Sequence, residues 1–350
     1  MVAAGGTSVE CPAVVRRAFV AVAFLALAAP LALAAPAAAD NAGFTPAEPA
    51  SPGAGRIEDI YWLLVAIAVG IFLVVAVPLV LFVVRYRNRG RGRDVEGVQI
   101  RGNTRLELAW TVAPVLILLA LGAFTLYKLP GITDPARAEV RQGDGRYTIR
   151  VEGRRFYWRF VYPNGAIAYD TLRVPLRRDV EIRITAPKTD VIHSFWIPAL
   201  GGKRDAIPGQ HTAFRVFATR LGSYGGNCGE FCGIQHAAMA LEARVVRGGE
   251  FDRWVRAQAA DQRRPNETLG GTIYTAVCSK CHGPEVAGKI GPQLVGNPIL
   301  RDRQAVATIV RHGRGAMPPV GQGWTKQEMD SLVRFVRRLG GGGGGSGSQG

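Results

Sequence analysis

Residues 228–239 place two thiols, an imidazole and a thioether on one short segment, from Cys228, Cys232, His236 and Met239. These soft ligands favour copper over zinc, magnesium or calcium. A second imidazole, His193, lies about 35 residues upstream in an apolar stretch. A mononuclear blue-copper site needs one Cys, two His and a weak axial Met, so the additional thiolate predicts two copper ions bridged by two sulfurs.

Two other interpretations of this segment stay open. Exported proteins commonly use a cysteine pair such as Cys228 and Cys232 as a disulfide. That bond would leave His193, His236 and Met239 without a role. A zinc site is the second alternative, but methionine is a poor zinc ligand and zinc usually takes four ligands.

A second redox motif is Cys278-Ser-Lys-Cys281-His282. It predicts one covalent haem c, with thioethers from both cysteines and His282 as the proximal iron ligand. A thioredoxin-like motif is the alternative, but no βαβ pattern surrounds these residues. The sixth iron ligand is predicted to be Met317, in Gly-Ala-Met-Pro-Pro, with His312 as a rival.

The N-terminal third of the chain indicates on which side of a membrane these motifs lie. Residues 1–39 show a positive start, an apolar run and a small-residue site at Ala39, which predicts a cleaved signal peptide. An uncleaved third membrane helix is the alternative. The chain carries a net charge of +16, yet it has no helix-turn-helix, RNA-binding or zinc-finger pattern, so nucleic acid is not an expected partner.

Within residues 40–130, two apolar runs predict a transmembrane hairpin with spans at about 61–84 and 108–127. Buried core helices are the alternative. The loop between the spans is rich in Arg, and short Arg-rich loops stay in the cytoplasm. Everything from about residue 131 is therefore expected outside the cell.

Residues 131–249 read as short β-strands with turn signals, which predicts an antiparallel sandwich with the Cys-rich segment as a loop at one end. Residues 250–265 read as a charged, helical linker, and 266–339 as a compact third unit. The last helix should begin at Thr325, with Glu328 completing a capping box. The Gly/Ser tail, 340–350, is expected to be disordered. The strand candidates are 147–151, 156–160, 180–184, 214–217 and 241–245.

The pattern Cys228-x-Glu230-x-Cys232-x3-His236-x2-Met239, together with His193-Ser-Phe-Trp, resembles subunit II of the haem–copper cytochrome c oxidases. The resemblance covers roughly residues 55–250. It implies a cupredoxin-like Greek-key sandwich that holds dinuclear copper A. In that family the two cysteines bridge the coppers, each histidine binds one copper, and Met239 and the Glu230 carbonyl are weak axial ligands. The Glu230 carboxylate would reach a magnesium ion shared with subunit I.

The same resemblance implies roles for three further residues. Glu107, at the start of the second span, would lie at the entrance of a proton path into subunit I, although an interfacial carboxylate is the alternative. The family's aromatic strand usually reads Trp-Tyr-Trp where electrons arrive. Here Phe156 takes the first place and Trp158 the third, and core packing is the alternative for both.

Residues 266–339 are similar to a small, all-α class I cytochrome c. The whole chain then resembles the caa-type branch, in which the cytochrome is fused to subunit II. The implied function is to pass electrons from a donor, such as a cytochrome c or the cytochrome bc complex, through haem c and copper A to haem in subunit I. Oxygen is reduced there, coupled to proton pumping, in a bacterial plasma-membrane complex that also holds subunit III. The alternatives are a copper-handling assembly module and a subunit of a nitrogen-oxide reductase.

Overall fold

A computed structural model of the protein describes residues 45–86, 99, 101–133, 147–284 and 286–340. The expected signal peptide, most of the Arg-rich loop and residues 341–350 of the Gly/Ser tail lie outside the described residues. Gly340, the first residue of the expected tail, is buried and ends a helix that begins at Lys326. Three parts make up the described chain: two apolar helices, a β-sandwich and a C-terminal helical unit.

Two long apolar helices come first, α1 (Pro52–Arg85) and α2 (Thr104–Thr133). Ser51 caps α1 by accepting a hydrogen bond from the Ala54 N–H. Both helices are long and apolar enough to cross a membrane, and their most apolar windows are not buried by the described protein. Side chains such as Val74, 74% exposed, therefore do not pack into the core of the described protein.

The start of α1 is fixed to the sandwich. The Ala50 N–H donates to the carbonyl of Ala199, and the Thr219 N–H donates to the carbonyl of Ala50, both at 2.8 Å. The Ser51 hydroxyl donates to the carbonyl of Leu200 at 2.8 Å. These three hydrogen bonds attach the first residues of α1 and the residues just before it to the sandwich.

The sandwich is built from ten described strands in two five-stranded sheets. The strands are β1 (Tyr147–Arg154), β2 (Tyr157–Val161), β3 (Ile167–Tyr169), β4 (Thr171–Pro175), β5 (Asp179–Thr185), β6 (His193–Trp196), β7 (Arg204–Ala206), β8 (Thr212–Phe217), β9 (Gly222–Cys228) and β10 (Ala240–Val246). The sheets are ordered β3-β2-β1-β5-β8 and β4-β10-β9-β6-β7. Each contains one parallel pair, β1 with β5 and β10 with β4, so the expectation of a purely antiparallel sandwich is wrong in this detail. The parallel pairs arise because the two strands of each pair are not consecutive in the chain. Between them the chain passes through the other sheet and comes back in the same direction.

Five of these strands match the apolar runs of the sequence, and the others do not stand out there. Strand β9 reads Gly-Ser-Tyr-Gly-Gly-Asn-Cys, and three glycines hide its β propensity. At Gly226 a side chain would collide with the Trp196 backbone of the neighbouring strand. Glycine there lets β9 pair closely with β6, and this pairing aligns Phe195 with Cys228.

Helix α3 (Gly248–Asp261) follows the sandwich and packs on it. Phe251 is fully buried and Val255 nearly so, both within the sandwich core. The Phe251 ring meets the edge of Tyr147 at a centroid distance of 5.1 Å. The charged stretch expected to link the outer units is thus largely an amphipathic helix anchored on the sandwich.

The C-terminal unit is helical, as predicted. Its helices are α4 (Glu267–Ile273), α5 (Ser279–His282), α6 (Arg303–His312) and α7 (Lys326–Gly340), and a π-helical turn, Tyr274–Cys278, joins α4 to α5. The capping box of α7 is confirmed, because the Glu328 N–H donates to the Thr325 hydroxyl and the Thr325 N–H donates to the Glu328 carboxylate. Helices α4 and α7 cross so closely that a side chain at Gly270 would collide with the Ser331 carbonyl.

Candidate metal and haem sites

The first candidate site lies where β6 and β9 end side by side. His193 opens β6 and Cys228 closes β9, so the sheet ladder itself brings an imidazole to a thiol. The His193 Nδ1 lies 4.0 Å from the Cys228 Sγ. One ligand atom each from His193, Cys228 and Cys232 lie within 4.8 Å of one another, and all three residues are buried.

The remaining predicted ligands surround the second sulfur. The Cys232 Sγ lies 3.5 Å from the His236 Nδ1 and 3.7 Å from the Met239 Sδ. The Cys228 Sγ lies 3.2 Å from the carbonyl oxygen of Glu230. The structure therefore brings all six predicted donor groups into one chain of contacts, and each sulfur has its own imidazole and its own weak neutral donor.

The two sulfurs differ electrostatically. A hydrogen bond from Cys232, helped by His193, lowers the pKa of Cys228 to about 3 against the effect of burial. The same shared hydrogen bond, followed by burial, raises the pKa of Cys232. Without a metal, one proton is therefore shared between two sulfurs, because two adjacent thiolates repel each other. Cations between the sulfurs would hold both as thiolates.

The donor set distinguishes among the metals considered. Both cysteines are free thiols in the described structure, not a disulfide. Two thiols, two imidazoles, a thioether and a carbonyl exceed the four ligands of a structural zinc ion. Soft sulfur with imidazole suits copper, and two equivalent halves suit two ions, so the residues fit a dinuclear copper group.

A carboxylate that the sequence analysis missed orients one ligand. Asp190 Oδ1 lies 3.3 Å from the His193 Nε2. Because a carboxylate accepts hydrogen bonds, it places the ring proton on Nε2 and leaves the Nδ1 lone pair facing Cys228. The signal was present as Asp-x-x-His, with the acid three residues before the ligand. The Trp158 ring also packs against His193, edge-on at 6.2 Å.

The second candidate site is a cavity of about 670 Å³ in the C-terminal unit. Cys278, Cys281, His282 and Met317 all line it, and His312 is not among its lining residues. The His282 Nδ1–H donates to the Pro292 carbonyl at 2.8 Å, which leaves Nε2 free to bind iron. The other walls are mainly aliphatic, including Leu294, Leu300, Val306, Ile309, Val310 and Val336, so the cavity fits a haem group.

Three residues of the sandwich also line this cavity. They are Arg155 and Phe156, between β1 and β2, and Ile234 of the copper loop. A Cβ atom built on Gly233 would lie 3.2 Å from the Phe156 ring. Phe156 therefore touches the copper loop on one side and the haem cavity on the other. Trp158, by contrast, is fully buried behind His193.

A buried ion pair joins the sandwich to the helical unit. The Arg159 guanidinium donates to both carboxylate oxygens of Glu328 at 2.8 Å, and Tyr169 also contacts this carboxylate. Glu328 is fully buried, and Arg159 also bonds Glu152 at 3.0 Å. Sequence reasoning gave Glu328 its capping role and missed this second one, because nothing local reports a partner 169 residues away.

Further contacts continue the same interface. The Tyr157 hydroxyl donates to the Val320 carbonyl at 2.6 Å and accepts from the Trp324 Nε1–H at 3.0 Å. The Lys280 ammonium, inside the haem motif, donates to Asp170 at 2.7 Å and to the Phe156 carbonyl at 2.8 Å. The haem-attachment segment is thus fastened directly to the aromatic strand.

Glu107 lies in the first turn of α2, at the end of the hairpin where the Arg-rich loop arrives. Its carboxylate accepts a hydrogen bond from the Asn103 N–H at 3.2 Å, and Asn103 in turn accepts from the Leu106 N–H. This arrangement caps the helix and leaves the predicted proton role as a proposal.

Comparisons with known proteins agree with this geometry. The family described as cytochrome c oxidase subunit II, transmembrane domain, matches residues 39–127, and its periplasmic domain matches 171–246. The family described as cytochrome c oxidase, cbb3-type, subunit III, matches residues 265–336. Cytochrome c oxidase subunit 2 of Thermostichus vulcanus is 30% identical over 264 residues, 62% of this chain and 80% of that protein. The chain belongs to the cytochrome c oxidase subunit II family.

Two further relatives support the assignment. Cytochrome c oxidase subunit 2 of Alkalihalophilus pseudofirmus is 29% identical over 315 residues, which are 84% of this chain and 90% of the relative. A probable cytochrome c oxidase subunit 2 of Rickettsia bellii is 30% identical and covers 62% of this chain and 83% of its own. The fused C-terminal cytochrome unit is confirmed by the match at 265–336.

This subunit II is part of a haem–copper oxidase, and it has a general role in electron transfer. Its family implies copper A, and its C-terminal unit implies haem. The two apolar helices and the periplasmic domain make it a membrane protein with an extracytoplasmic domain.

Proposed function

We propose that this chain receives electrons on one covalent haem c and passes them through a dinuclear copper centre to haem in subunit I, where oxygen is reduced to water and protons are pumped. The observation that supports this order most is the shared wall between the two sites. Phe156 and Ile234 line the haem cavity, and Ile234 belongs to the loop that carries the copper ligands.

The chain's own residues would supply position and insulation. Cys278 and Cys281 would attach the haem, and His282 and Met317 would bind its iron. His193, Cys228, Cys232, His236, Met239 and the Glu230 carbonyl would hold the coppers. When bound, these groups supply one-electron redox chemistry.

The fused unit covers the aromatic strand on which family members usually receive an electron. Tyr157 is fully buried under this unit, and Phe156 faces its cavity. An external donor, such as a cytochrome c or the cytochrome bc complex, would therefore deliver electrons to the fused haem. Tethering this haem raises its effective concentration at the copper loop, so no diffusional encounter is needed.

The remaining partners are proposed from family resemblance and position. Subunit I and subunit III would pack on α1 and α2 in a bacterial plasma membrane. Glu230 is exposed, so its carboxylate is available for a magnesium ion shared with subunit I. Glu107, at the opposite end of the hairpin from the sandwich, would open a proton path.

The test is stopped-flow mixing of the purified complex with a reduced donor. We expect the haem c band to reduce first, followed by the near-infrared copper band, with two coppers and one haem per chain. In a Cys232→Ser complex the haem should reduce and stay reduced. Copper reduction that precedes haem reduction would contradict the proposed order, and turnover of nitrous oxide in place of oxygen would contradict the oxidase role.

A further inference from the structure

Arg155 lines the haem cavity and contacts a residue that faces a predicted copper ligand. It is one of three sandwich residues that line the haem cavity. Its Nε also lies 3.1 Å from Asp190 Oδ1, the oxygen that faces the His193 ring. One guanidinium thus stands two contacts away from a copper ligand and at the wall of the haem site.

Asp190 is held firmly enough to transmit position. Its carboxylate accepts hydrogen bonds from the N–H groups of Val191 at 2.8 Å and Arg155 at 3.2 Å. Asp190 Oδ1 therefore faces the Arg155 guanidinium at 3.1 Å and the His193 ring at 3.3 Å, so it links the two side chains and sets the His193 tautomer.

The Arg155 side chain uses only part of its donor set. Its buried Nε faces Asp190 as an ion pair without an aligned hydrogen bond. Its terminal guanidinium nitrogens make no hydrogen bond to the described residues, and the side chain is 32% exposed. These nitrogens are therefore available for a ligand oxygen in the cavity that Arg155 lines.

The charge of the cavity points to the kind of oxygen. Arg155 and Arg314 line it, and no acidic side chain does so among the described residues. Haem carries two carboxylates, which are costly to bury without cationic partners. Arginine is well suited to such a contact, because its planar donors match a carboxylate.

We propose that Arg155 is a positioning residue shared by both redox sites: it holds a haem carboxylate and, through Asp190, fixes the orientation of the copper ligand His193. This inference rests on the proposed order of electron transfer. It adds that the haem unit and the copper loop are coupled by a defined chain of residues, Arg155, Asp190 and His193. The haem carboxylate completes the donor set of Arg155, so haem insertion should also tighten the copper site.

The test uses the full-length chain in its purified complex, with Arg155→Gln as the main variant. The readouts are the haem c reduction potential and the imidazole nitrogen hyperfine coupling of the copper centre. A cation favours the reduced haem, so its loss should lower the reduction equilibrium constant by on the order of tenfold, which is about 59 mV for one electron. The nitrogen coupling of His193 should change as well.

Three further variants separate the effect on the haem from the effect on the copper centre. Arg314→Gln removes the other cavity arginine and should shift the haem potential but leave the copper coupling unchanged. Arg150→Gln removes an exposed arginine paired with Glu152, and should change neither. Arg155→Lys keeps the positive charge but loses the planar, bidentate donors of the guanidinium. The haem reduction potential should therefore stay near its wild-type value, whereas the copper hyperfine coupling should still change. This variant also serves if Arg155→Gln does not fold.

A wild-type copper coupling in both Arg155 variants would overturn the inference, and so would an unchanged haem potential in Arg155→Gln. Failure of the underlying electron-transfer order would look different. It would appear in the wild-type complex as absence of haem-to-copper transfer, whatever residue stands at position 155.

Discussion

The copper loop and the haem cavity are built differently to hold their redox groups. At the copper loop, one donor atom each from His193, Cys228 and Cys232 already lie within 4.8 Å of one another, and the pairing of β6 with β9 brings His193 to Cys228. At the haem site, the ligands line an open cavity of about 670 Å³. A β framework positions a small metal group in advance, whereas the helical unit uses its cofactor as part of its core.

The two cysteine pairs also differ in their acidity. The hydrogen bond that Cys228 and Cys232 share lowers the pKa of Cys228 and raises that of Cys232, so one proton is held between two sulfurs. At the other pair, burial raises the pKa of both Cys278 and Cys281. The copper loop therefore presents two sulfurs that interact directly, whereas the haem motif presents two neutral thiols.

The largest expected effect comes from removing the haem. In a Cys278→Ser/Cys281→Ser double variant, the cavity loses the group that would fill it, and large cavities are strongly destabilising. We expect proteolysis within residues 266–339 and loss of donor oxidation, while the copper signal of the sandwich persists. Limited proteolysis with mass spectrometry, together with copper paramagnetic resonance, checks this. If the haem-free helical unit were as resistant to protease as the wild type, the haem would not be part of the core of that unit.

The reciprocal change removes the copper. Cys232→Ser deletes the thiolate that contacts His236 and Met239. We expect the mixed-valence paramagnetic signal to disappear while the haem content stays unchanged, because the residues predicted to hold the haem lie in the helical unit. The measurement is copper analysis with paramagnetic resonance beside the haem absorption spectrum. Retention of the signal would show that Cys232 does not bridge the metals.

A smaller effect is expected where the two regions meet. Glu328→Gln preserves the capping box, since Gln also serves there, but it leaves Arg159 buried without its anion. Breaking a buried pair in this way costs about 3–5 kcal/mol. The matched control is Glu267→Gln, whose pair with Arg338 is exposed and contributes about 0–1 kcal/mol. Denaturant unfolding of the haem unit measures both, and equal losses would show that the interface pair has no special role.

The smallest effect is a pH dependence of the same interface. Burial opposes it, but hydrogen bonds from Arg159 and Tyr169 lower the pKa of Glu328 below its ordinary 4.5. A carboxylate with a lowered folded-state pKa contributes stability above its unfolded pKa and loses it as pH falls through the folded value. The difference between wild type and Glu328→Gln should therefore be full at neutral pH and shrink below pH 4.5. A constant difference in unfolding free energy across that range would contradict this.

How much the sequence predicts depends on the same division. Most of the predicted copper and haem ligands fall in two short motifs, 228–239 and 278–282, so residue type and spacing were enough to predict both sites. The capping of α7 was readable for the same reason, because it depends on residues three apart. The interface was not readable, because Tyr157, Ile167 and Tyr169 of the sandwich join the hydrophobic core of the helical unit across more than a hundred residues. Alternation predicts that one face of a strand is buried, but not that a second domain buries the other.

The helix α3 is an intermediate case. Its charges made it look like a linker, yet Phe251, Trp254 and Val255 recur at helical spacing and pack on the sandwich. Periodicity was the better guide there than composition. Arg155 lies at the other extreme, since neither its residue type nor its spacing from the two motifs shows that it lines the haem cavity and contacts Asp190.

The most direct test of the proposed electron path is to inject electrons by a light flash into the full-length complex and to follow haem c and copper separately. We expect haem c to be reduced first and then reoxidised at the rate at which copper is reduced, with a rate constant independent of protein concentration. Copper reduction at an unchanged rate in the haem-free Cys278→Ser/Cys281→Ser variant, or a rate that rises with protein concentration, would contradict this path.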